Sequence, residues 1–77
     1  MLFMPKFLFR TKVENDLSSN EISEEFTDLA AARMKALEIA SKLILQDLKE
    51  NREVRQGHIE ISDEDGNLLS VVPLIGR

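Results

Sequence analysis

Seventy-seven residues with a net charge of −4 and a pI near 4.9 make one small acidic domain, poorly suited to bulk binding of a phosphate backbone. No cysteine is present, which excludes disulfides and thiolate metal sites and makes a reducing, cytoplasmic setting the expectation. A core this small rarely supplies more than about 3–5 kcal/mol, so oligomerisation is the supplement left open to it.

The chain opens on Met1-Leu2-Phe3-Met4, apolar but broken at once by Pro5 and Lys6. It lacks the charged lead-in and longer apolar run of a signal peptide, and no stretch approaches the ~20 apolar residues of a membrane span. Lys6 to Val13 reads as a strand, with Phe7, Phe9, Thr11 and Val13 on one face and Leu8, Arg10 and Lys12 on the other. Glu14 to Glu25 is polar and reads as a loop, and Ile22 with Phe26 just beyond it marks room for an extra short strand before the helix.

A helix is predicted from about Asp28 to Glu50, with Thr27 or Asp28 as N-cap. At 100° per residue Leu29, Ala32, Ala36, Ala40 and Leu43 form its central seam, and the alanines let a sheet approach closely. The flank of Met34, Leu37, Leu45 and Leu48, with Ile44, carries the apolar arc past half the circumference. One sheet cannot cover that arc, so these four leucine and methionine positions are the candidate interface with a second copy of the chain.

After Gly57–Ser62, the segment Asp63-Glu64-Asp65-Gly66 predicts a tight turn with a left-handed glycine, and Asn67–Leu74 a returning strand. Pairing Asp63 with Asn67 sets Ile61 against Leu69 and Ile59 against Val71, all on the buried face. Pro73 lacks a donor, so that strand must end there or turn the missing N–H to solvent. The expected fold is α+β: βαββ, a three-stranded, mainly antiparallel sheet packed on one long helix. The first strand is expected beside the last and antiparallel to it, with a place beside the second and parallel to it as the alternative.

From Met4 onward the chain resembles a family of short bacterial proteins known only as a domain of unknown function. Met4-Pro5-Lys6-Phe7-Leu8-Phe9 is similar to the family's opening Met-Pro-Arg-Tyr-Phe-Phe, and Asp28-Leu29-Ala30-Ala31-Ala32-Arg33-Met34-Lys35-Ala36 to its Asp-Leu-x-Ala-Ala-Arg-x-x-Ala. Asp63 to Leu74 follows its closing Asp-x-x-Gly-x-x-Leu-x-x-Val-Pro-Phe in outline. The resemblance implies a single domain over residues 4–76 and supplies no activity.

The side chains that could carry chemistry are few. His58 is the one group with an unperturbed pKa near neutrality, and no nucleophile motif stands beside it. Asp63, Glu64 and Asp65 are dense but lack the spacing of a calcium loop. Arg33 and Asp47 project from the apolar arc fourteen residues apart, too far to pair within one helix. They are read as structural ion-pair residues, with Arg33 reaching an acidic group of the loop or hairpin or Asp47 of a second copy, or else as a ligand anchor. The expectation is therefore a protein–protein interaction or regulatory module that is not an enzyme and needs no metal or cofactor. It is expected to bind itself, with an unidentified protein as a further candidate partner, and neither membrane nor nucleic acid. The alternative is a module that binds a small anionic ligand through Arg33 with Arg10 or Lys12.

Overall fold

Alternating side chains over Lys6–Val13 give strand β1, which buries Phe7 and Phe9 on one face and turns Arg10 and Lys12 outward. The computed structural model describes residues 4–14 and 20–74. Of the expected domain over residues 4–76, residues 75–76 lie outside these, as do residues 15–19 with Leu17 of the predicted loop. Strand β2, Asn20–Glu25, runs antiparallel to β1 with Ile22 opposite Phe9 and Glu24 opposite Phe7. Every β2 side chain is exposed, so backbone pairing rather than burial forms it.

Asp28 caps helix α1, Leu29–Lys49, by accepting the Ala31 N–H at 2.9 Å. At the other end Asn51 takes a left-handed backbone (φ 58°), the conformation asparagine tolerates best after glycine. The Arg52 N–H then bonds the Asp47 carbonyl at 2.9 Å and the Asn51 N–H the Leu48 carbonyl at 3.1 Å, a Schellman closure of the helix. This turn brings the chain back toward the sheet as β3, Gly57–Ser62, followed by β4, Leu68–Pro73.

The sheet order is β2-β1-β3-β4, antiparallel throughout, so the described residues form an α+β fold with one helix on a four-stranded sheet. The expected place of β1 beside the last strand is corrected: it lies beside β3 and antiparallel to it. The cause is β2. That strand reverses the chain before the helix, and the crossover then returns β3 parallel to β2, with β1 between them. Gly57 sits where β3 meets β1, and a Cβ there would collide with the Lys12 carbonyl oxygen.

The hairpin register is also corrected by one residue. The Asp63 N–H bonds the Asn67 carbonyl at 3.0 Å as expected, but Ser62 pairs with Leu68 while Ile61 pairs with Ser70. Leu69 is the extra residue of a β-bulge. Beyond it every side chain changes face, so Val72 opposes Ile59 and is buried, while Leu69 and Val71 are 41% and 45% exposed. The core is Phe7, Phe9, Ile59, Ile61 and Val72 against Ala32, Ala36 and Ala40, with Phe26, Leu29, Ile39 and Leu74 around it. Phe26 packs edge-on to Phe9 with ring centroids 5.8 Å apart.

Gly66 has φ +89°, and a Cβ there meets nothing within 4 Å, so substitution acts through the backbone alone. Gly66→Val should destabilise by more than about 1 kcal/mol, because a β-branched residue fits the left-handed region worst. Asn67→Ala, which removes one exposed bond to Asp63, should cost less. Equal urea midpoints for the two variants would contradict this turn.

Candidate functional site

Among the described residues, the surfaces available for recognition include the outer face of the sheet, the edge of β4 and the outer stripe of α1. On the sheet face away from the helix, the strand registers align Glu21, Arg10, Glu60 and Val71 in one row. Arg10 Nη2 reaches Glu21 Oε2 at 2.7 Å, and this partner raises the guanidinium pKa further. Glu60 Oε2 takes His58 Nε2 at 3.0 Å and Lys12 Nζ at 3.7 Å, and the histidine bond, ahead of the lysine charge, holds Glu60 below the ordinary carboxylate range. Arg10 and Lys12, the cations of the anion-binding alternative, are thus each matched by a glutamate. His58 lies opposite Lys12 and Pro73, half-buried, with no serine or threonine paired to it in the registers.

Asp63 uses its carboxylate locally. It accepts the N–H groups of Asp65 and Asn67 at 2.9 Å each and the Asn67 amide at 3.0 Å, bonds that hold its pKa down, with Asn67 the main cause. The acidic cluster is the framework of the turn.

Along β4 the Leu74 N–H bonds the Gly57 carbonyl at 2.9 Å, and in an antiparallel ladder alternate residues face the same way. The nitrogens of Val71 and Pro73 therefore face the open edge. Pro73 has no N–H there, which shortens the stretch on which another strand could pair.

The structure does not bring Arg33 and Asp47 together. Asp47 is 2% exposed and lies on the same meridian of α1 as Ala36 and Ala40, facing the interior. Its Oδ1 accepts Arg52 Nη2 at 2.8 Å and Arg55 Nη2 at 3.1 Å; its Oδ2 accepts the Arg55 backbone N–H at 3.2 Å and Nε at 3.3 Å. These bonds, the Arg55 side chain foremost, hold its carboxyl below the usual aspartate range. Both oxygens are occupied within the chain, so the expected bridge to Arg33 of a second copy gives way to an intrachain cluster. Arg33 itself is exposed at the flank of the helix and returns its guanidinium to water. A sequence signal for the cluster exists: an aspartate in register with the alanine seam, followed by arginines five and eight residues later.

The four apolar positions predicted to overflow the core do so. Met34 is 68% exposed, Leu37 48%, Leu45 58% and Leu48 56%. They run along the side of α1 away from the sheet, and Met34, Leu37 and Ser41 line an open groove that continues to Phe26 and Glu24. No helix is long and apolar enough among the described residues to cross a membrane.

The fold and these surfaces define, among the described residues, a small α+β domain of one helix on an antiparallel sheet that leaves an apolar helix stripe exposed. The chain belongs to the family of a domain of unknown function (DUF6894), whose profile matches residues 6–76. Comparison with curated proteins and with solved structures finds no match. The family assigns no specific biochemical function.

Proposed function

We propose that this chain is a non-enzymatic protein–protein interaction module of a bacterial cytoplasm that acts as a homodimer. The observation that supports this reading is the exposed stripe of Met34, Leu37, Leu45 and Leu48, on a helix whose opposite face already fills the core. Contiguous apolar surface of this kind on a small acidic domain marks an interaction site. A two-fold contact covers it on both copies at once and stabilises a core that is small for independent folding. The cytoplasmic setting rests on the cysteine-free composition.

Sedimentation of the purified chain at micromolar concentration should give a dimer. Leu45→Glu with Leu48→Glu should give a folded monomer, because both side chains are more than half exposed within one copy. Circular dichroism separates that outcome from unfolding. A parent chain that stays monomeric across the same range overturns the reading.

A further inference from the structure

The exposed stripe is symmetric about Ser41. Leu37 and Leu45 stand four residues to either side of it, and Met34 and Leu48 seven. At about 100° per residue all five fall within an arc roughly 80° wide centred on Ser41. A stripe that reads alike from both ends is matched, residue for residue, by its own inverted copy.

Resting on the self-association proposed above, we infer that a second copy docks on α1 as an antiparallel helix, with Ser41 at the two-fold axis. Leu37 of each copy then meets Leu45 of the other, and Met34 meets Leu48. Ser41, the smallest residue of the stripe, stands where the two backbones approach most closely. The charges on one shoulder agree. Glu38 and Lys42 now bond each other at 3.3 Å within the chain. In the antiparallel pair Glu38 of each copy also lies beside Lys42 of the other, whereas a parallel pair sets Glu38 beside Glu38 and Lys42 beside Lys42. The helix dipoles also oppose each other in the antiparallel arrangement.

The chain has no cysteine, so single introduced thiols report proximity without background. With helix axes ~8–10 Å apart and a Cα radius of ~2.3 Å, the two Ser41 Cα atoms stand about 3–5 Å apart, overlapping the disulfide range. Ser41→Cys should oxidise almost completely to a linked dimer. Met34→Cys and Leu48→Cys, each alone, place their thiols about 21 Å from the copy's and should stay unlinked, while their mixture should crosslink. Self-linking by Met34→Cys or Leu48→Cys with no gain on mixing indicates a parallel pair and overturns the inference. A dimer by sedimentation that links in none of these variants also overturns it, and leaves the self-association reading standing on another surface such as the β4 edge. A monomer in sedimentation, or capture of only a foreign helix on this stripe, overturns both.

Discussion

Phe9→Ala should leave the chain unfolded at room temperature. Phe9 is 1% exposed, sits on a central strand between β2 and β3, and packs edge-on against Phe26. Truncating a buried phenylalanine costs about 3–5 kcal/mol, as transfer free energy plus the cavity left behind. That equals the whole stability a core of this size supplies. The surroundings cannot collapse into the void, because Ile59 and Ile61 are held by the β3 ladder and the facing helix positions are alanines with no further side chain to give. Ile59→Val, at a site equally buried, removes one methylene and should cost only about 0.5–1.5 kcal/mol. Urea titration followed by circular dichroism should therefore show a cooperative transition for Ile59→Val and none for Phe9→Ala. If the chain dimerises, raising its concentration should recover part of the loss. A cooperative Phe9→Ala transition near the parent midpoint would mean that this core does not hold the domain together.

What the sequence reveals and what it hides follow from the same side-chain arithmetic. Strand β1 is legible because one face is apolar at period two and the other carries Arg10 and Lys12, and the alanine seam because Ala32, Ala36 and Ala40 recur at the helical period. The overflow of Met34, Leu37, Leu45 and Leu48 is legible for the same reason, since an apolar arc wider than its sheet must end in solvent or on a partner. The register of β4 is not legible. Leu68-Leu69 and Val71-Val72 offer an apolar residue to either face, so burial cannot choose between two registers one residue apart, and the bulge at Leu69 decides it. Strand β2 is legible only as the extra short strand that Ile22 and Phe26 mark, and its place in the sheet is hidden, because an edge strand exposed on both faces carries no hydrophobic alternation. Its remaining signature is cross-strand charge, Glu21 against Arg10 and Glu25 against Lys6, visible only once the two strands are placed side by side. The strand order depends on β2 and is hidden with it.

Asp47→Asn should bring the largest fall in stability of any single polar substitution in the chain. The carboxylate is buried, accepts four hydrogen bonds from Arg52 and Arg55, and ties the end of α1 to the connection that leads into β3. Asparagine is nearly isosteric but keeps only one acceptor oxygen. Its NH2 group must then face donors, either the two arginine Nη2 groups or the Arg55 backbone N–H and Nε. Losing one partner of such a cluster is worse than never having built it. By contrast Glu50→Gln, at the exposed second partner of Arg52, should change little. The pH dependence separates loss of charge from loss of shape. The Asp47 pKa is held below its ordinary 3.8 in the folded chain, so its contribution is complete above that value and disappears as pH falls through the lower folded value. The gap in urea midpoint between parent and Asp47→Asn should therefore be widest near neutrality and narrow steadily below about pH 4, as the parent carboxylate takes up its proton. Glu60 and Asp63, also depressed, titrate in both proteins and cancel from the difference. A gap that stays constant from pH 7 into acid would show that Asp47 acts by its shape and not by its charge.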